Sequence, residues 1–120
     1  AAPPVGFAAT EAGQRWAILA SRDMSHRLIP GAPAGFHPEA KRFDERFVEI
    51  VASGDYPHLA KMDPALRELA AEDCVQTSLI AAAAVNWSTQ GARFLNYEGP
   101  FGVGYSEAIL FTTGGLNEAG

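Results

Sequence analysis

Apolar residues fall along this chain in distinct patterns, and each pattern predicts a different element. Trp16-Ala17-Ile18-Leu19-Ala20 is a short continuous apolar run followed by polar residues, as expected of a strand buried on both faces. The stretch from Ser21 to Leu28 then lies at the carboxyl end of that strand, where open α/β sheets place their ligands. A loop rich in Pro and Gly follows from Ile29 to Phe36. Beyond it, Phe43, Phe47, Ile50 and Val51 recur at helical spacing, with Lys41, Arg42, Asp44, Glu45 and Glu49 elsewhere around the helix. Pro38 suits the first turn of this helix and Gly54 its end.

Asp63-Pro64 supplies a cap and first-turn pair for a second helical region with Leu66 and Leu69 as its buried stripe. That region either continues or breaks and restarts through Glu72 and Asp73. The segment from Cys74 to Trp87 is almost uncharged and rich in alanine, which predicts a helix packed closely against a sheet. Ala92 to Tyr97 and Tyr105 to Phe111 read as strands, separated by Glu98-Gly99-Pro100-Phe101-Gly102-Val103-Gly104. The whole predicts an α/β fold with a mixed or mostly parallel sheet flanked by helices. Residues 1–15 are expected to be irregular, 16–112 to form the folded part, and 113–120 to be a tail.

Composition narrows the function classes. The 120 residues, 48% hydrophobic and 19% charged, suit one core of ordinary globular composition. Fourteen acidic against nine basic residues give a formal charge of −5 without any basic run, which argues against nucleic acid as a partner. The longest apolar stretch, Leu79 to Val85, is far too short to cross a bilayer. The chain opens on Ala1-Ala2-Pro3-Pro4 without the basic and apolar regions of a retained signal peptide. A single cysteine, Cys74, rules out an intramolecular disulfide, and a cytoplasmic location is the expectation.

Asp23-x-Ser25-His26 gathers an acid, a hydroxyl and an imidazole at one strand end. Two readings are open. Asp23 and Ser25 are good turn and cap residues and His26 a solvated loop side chain, or His26 works in a cleft as the side chain poised near neutral pH. A serine-hydrolase pair of Ser25 with His26 is disfavoured because neighbours seldom align and the G-x-S-x-G elbow is absent. His37 is expected to lead into a helix, His58 to lie at the surface, and Cys74 to act as a small buried hydrophobe. Glu72 and Asp73 precede an uncharged helix, where a carboxylate gains from the helix N-terminus. The sharper alternative makes one of them a hard oxygen ligand for Fe(II). The glycines around Phe101 lack dinucleotide-binding spacing and are expected to allow a bulge or close backbone packing, with Glu98 facing either a cleft or solvent.

Taken together, Ser21-Arg22-Asp23-Met24-Ser25-His26-Arg27-Leu28, Ala32-Pro33-Ala34-Gly35-Phe36 and Phe43-Asp44-Glu45 resemble the LigB-like class III extradiol dioxygenases. Asp63-Pro64-Ala65-Leu66, the Glu72-Asp73-Cys74 region and Tyr97-Glu98-Gly99-Pro100-Phe101-Gly102-Val103-Gly104-Tyr105 look like later landmarks of the same family. The likeness runs from about Trp16 to Phe111 and corresponds to the carboxyl-terminal half of a larger domain. It implies a non-haem Fe(II) enzyme that cleaves a catechol-type ring with O₂. It also implies that His26 is the second-sphere acid/base, with Ser25 and Arg22 near substrate and Asp73 or Glu72 as the carboxylate ligand. With Cys74 as the anchor Asp73 matches the ligand position, and a one-residue shift selects Glu72.

Two departures qualify the resemblance. Arg22 stands where relatives commonly have glycine, and is expected to narrow the pocket or to offer positive charge to an anionic substrate. The two iron-binding histidines of the family come from an amino-terminal half, and no histidine precedes Trp16. Fe(II) is therefore expected only if a missing segment or a second chain supplies those ligands. The alternative is a non-catalytic binding or assembly subunit that keeps the fold and pairs with a second chain or with itself.

Overall fold

The computed structural model describes Gly13, residues 15–21 and residues 23–113. The expected irregular start and tail lie largely outside the described residues, as does Arg22. The described part is α/β: helix α1 (Ala40–Ser53), a 3₁₀ helix (Tyr56–Lys61), α2 (Pro64–Ala70) and α3 (Val75–Ala84), then strands β1 (Arg93–Glu98) and β2 (Tyr105–Ile109).

Helix α1 follows its apolar spacing. Phe43, Phe47, Ile50 and Val51 are all buried, and the Phe43 and Phe47 rings stack with centroids 6.0 Å apart. Gly54 ends the helix in the left-handed region at φ 79° while its amide donates to Val51, a conformation that costs glycine little. One expectation is overturned: Asp44, placed among the outward polar positions, is fully buried. Ala40, Asp44, Phe47 and Val51 stand at i, i+4, i+7 and i+11, so the buried stripe is wider than its apolar members.

The second helical region breaks and restarts. Asp63 caps α2, accepting from the Ala65 amide at 3.0 Å, and Pro64 takes the first turn. Leu66 and Leu69 are partly buried against the core, while Ala70 is the residue of α2 that is fully enclosed. Ala71 then turns the chain at φ 53° and α3 starts four residues later. Helix α3 packs chiefly against the 3₁₀ helix, buries Val75 and Ala82, and leaves Ile80 61% exposed.

The two strands form an antiparallel pair, with Glu98 opposite Tyr105 and Arg93 opposite Ile109. A bulge between Phe94 and Asn96 shifts the register, so that Leu95 is the extra residue. The expected strand over Trp16–Ala20 does not form. Residues 15–20 are in no strand or helix, and all are exposed, with Leu19 at 88%. A strand buried on both faces needs paired neighbours and covering layers, and the sheet of the described residues contains only β1 and β2. No helix of the described residues is long and apolar enough to cross a membrane.

Candidate functional site

The loop from Met24 to Leu28 is laced backbone to backbone onto the glycine loop after β1. Met24 donates to Gly104 at 2.9 Å, Gly104 to Ser25 at 2.9 Å, and Leu28 to Gly102 at 3.0 Å. Such close approach leaves no room for side chains on the glycine loop. A Cβ on Gly99 would stand 2.6 Å from Leu28, one on Gly102 would stand 2.9 Å from both Ala32 and Ile29, and one on Gly104 would run into the Asp44 carboxylate. Close packing, rather than a phosphate cradle, is the use of these glycines, and Glu98 faces solvent.

From the other side the loop is held by the end of α2. Ser25 is fully buried; its hydroxyl donates to the Ala70 carbonyl at 2.9 Å and accepts from the Arg27 amide at 3.1 Å. This hydroxyl anchors the loop and is not paired with His26. The His26 amide donates to Ala70 at 3.1 Å, and Arg27 reaches the Leu69 and Gly35 carbonyls, each at 3.0 Å.

The His26 ring is oriented by two contacts of different kinds. Its Nδ1 lies 2.6 Å from the Ala71 carbonyl, which can only accept, so Nδ1 carries the proton. Its Nε2 then offers a lone pair, 3.5 Å from the Asp23 carboxylate. The side chains of His26 and Asp23 are 26% and 48% exposed, so this edge of the ring is reachable from outside. Asp23 marks the exposed side of the ring.

The two acids before α3 have separate fates. Glu72 spends both oxygens inside the chain: one accepts from Arg67 at 3.0 Å, the other from the Cys74 and Val75 amides at 2.8 and 2.9 Å. These are orphan amides of a helix N-terminus. Burial alone raises the Glu72 carboxyl, but the Val75 and Cys74 amides and Arg67 outweigh it and hold it below its ordinary value. Asp73 is exposed, and its amide donates to the Asp23 carbonyl at 3.1 Å, which sets its turn beside the His26 loop.

The remaining candidates take structural parts. His37 accepts the Glu39 amide at 3.1 Å and leads into α1. His58 lies 3.1 Å from Arg46 and 3.5 Å from Asp55 at the surface. Cys74 is buried, and burial together with the Glu72 and Asp44 charges pushes its thiol far above the ordinary value, so it is inert. Among the described residues no group of three or more His, Cys, Asp or Glu could hold a metal ion. A groove of about 470 Å³ is lined by residues 16–20, α3 and β2 and does not include His26.

One participant was missed in the sequence. Asp44 accepts the Ser25 amide at 3.0 Å and the Tyr97 hydroxyl at 2.6 Å. Burial raises its carboxyl despite those bonds, and burial with the Asp44 contact raises the Tyr97 phenol. The i, i+4 relation of Asp44 to Ala40 does not by itself distinguish it from an outward-facing acid.

The chain is 31% identical over 119 residues to Protein CA_C1420 of Clostridium acetobutylicum, an alignment covering 92% of this chain and 25% of that relative. It thus spans about a quarter of that relative's length. A family match to the catalytic LigB subunit of aromatic ring-opening dioxygenase runs from residue 5 to residue 107. Because that span takes in the His26 loop, the Glu72-Asp73 turn and the glycine loop together, the chain belongs to the LigB family.

Proposed function

We propose that this chain contributes the proton-transfer histidine of a site that opens a catechol-type ring with O₂. The observation that carries this reading is the His26 ring, held by the Ala71 carbonyl at Nδ1 with Nε2 turned to the reachable edge beside Asp23. There Nε2 accepts the proton of a phenolic hydroxyl, Asp23 steadies the imidazolium, and the same nitrogen later returns the proton. Membership of a ring-opening dioxygenase family supports the substrate class.

Fe(II), the metal the family resemblance implies, would hold the catecholate and O₂ together. The described donors do not by themselves make such a site. Asp73, exposed and hydrogen-bonded through its amide to the Asp23 carbonyl beside the His26 loop, is the acid proposed to contribute. The remaining ligands come from outside the described residues, in a longer chain or a partner.

O₂ uptake with Fe(II) and catechol, measured for this chain alone and with a partner bearing the missing histidines, tests the reading. Uptake is expected only in the assembly, and His26→Ala should lower it by roughly 10²–10⁴-fold with iron content retained. Unchanged turnover in His26→Ala removes His26 from the chemistry. Failure of iron binding in every assembly favours the non-catalytic subunit.

A further inference from the structure

Among the described residues two polar side chains are fully enclosed, Ser25 and Asp44, and they meet through the Ser25 amide. Burying a carboxylate without a cation is unfavourable, and both partners of Asp44 are neutral donors, the Ser25 amide and the Tyr97 hydroxyl. An apolar residue at this position of α1 would simply continue the buried stripe of Ala40, Phe47 and Val51. What the carboxylate adds is a bridge: one oxygen holds the His26 loop, the other holds β1, and Gly104 keeps the space between them open.

We infer that Asp44, backed by Tyr97, is the positioning residue for His26. Ser25 is gripped on its amide by Asp44 and on its hydroxyl by Ala70. The next residue can therefore place its ring only where Nδ1 meets the Ala71 carbonyl. Releasing the amide lets the loop slide along Ala70 and separates the ring from Ala71. The value of this arrangement rests on the proposed proton-transfer role of His26, but its geometry can be tested without turnover.

A solvated neutral imidazole prefers its proton on Nε2, so ring tautomer is a readout that mere loss of stability would not move. Long-range ¹H–¹⁵N spectra of the full chain labelled at histidine, at about pH 8.5 where imidazoles are neutral, should show His26 protonated on Nδ1. In Asp44→Ala and in Tyr97→Phe the His26 signals should move toward the Nε2-protonated pattern while those of His37 and His58 stay. Asp44→Asn, whose amide oxygen can still accept from Ser25, should restore the Nδ1 pattern. Tyr97→Phe removes one oxygen and carries the test if Asp44→Ala does not fold. A wild-type His26 pattern in the folded Asp44→Ala or Tyr97→Phe chain overturns the inference, as does an Nε2-protonated ring in the wild type. Lack of ring cleavage would instead overturn the proposed reaction and leave this comparison intact.

Discussion

Two neighbouring stretches of this chain, apolar Trp16–Ala20 and the more polar His26 loop, meet opposite fates. The first is exposed and lines a groove without joining any strand or helix. In the second, Met24 and Ser25 are enclosed and every neighbouring amide from Met24 to Leu28 has a protein acceptor. Hydrophobicity alone would favour burial of the first over the second. The difference is that the amides of the His26 loop find acceptors on the α2 backbone, the Asp44 side chain of α1 and the glycine loop, whereas residues 15–20 join no strand. Apolar content states a tendency, and paired neighbours decide whether it is met.

The strongest way to break the comparison is to fill the space at Gly104. A methyl group there meets the Asp44 carboxylate and Met24, so Gly104→Ala should cost about 3 kcal/mol in urea denaturation. Gly31, with nothing near its Cβ position but φ at 86°, should lose about 1 kcal/mol on changing to Ala, from backbone strain alone. Equal losses at the two glycines would show that space around Asp44 is not the constraint.

Glu72→Ala comes next, at about 2 kcal/mol, because it strips the cap from α3 and leaves Arg67 unpaired. Its pH dependence has a definite sign. The folded Glu72 carboxyl lies below its ordinary 4.5, so its contribution is complete above the unfolded value and is lost as pH falls through the folded one. Asp44 is shifted the opposite way; its ionisation opposes folding above the folded value, and acid relieves that cost. Stability curves should therefore fall less steeply below about pH 4.5 in Glu72→Gln than in the wild type.

Smaller effects sharpen the contrast. Ala71→Gly relieves a left-handed backbone at φ 53° and should gain about 0.5 kcal/mol, read as a raised Tm, with the carbonyl still facing His26. Leu19→Ser, in the exposed stretch, should change stability by less than about 0.5 kcal/mol. A loss well above that would mean residues 15–20 are packed more tightly than their exposure indicates.

Much of the fold was legible because it is local. The spacing of Phe43, Phe47, Ile50 and Val51, the Asp63-Pro64 start, the Gly54 stop and both strands after Gly91 all follow from neighbours within a few residues. The His26 motif was legible too, through family resemblance. The inward turn of Asp44 was not, because a lone acid beside an apolar stripe has the same sequence pattern whether it meets solvent or two buried donors. Nor was the capping of α3 by Glu72, since Glu72 and Asp73 both precede the same helix and the sequence does not say which of them reaches its amides.

The amino-acid sequence by itself determined the α-helices, the positions of the two strands, the close-packed glycines and the histidine around which the site is read; that the strands pair antiparallel came from the fold. Tertiary structure alone decided that the Ser25 hydroxyl anchors its loop on Ala70, that Glu72 caps α3, and that Trp16–Ala20 forms no strand. It alone revealed Asp44 as the bridge behind His26. The physical reason is range: turns, caps and periodicities act over three or four residues. The bonds Ser25–Asp44, His26–Ala71 and Asp44–Tyr97 join residues 19, 45 and 53 positions apart, and such pairings exist only once the chain has folded.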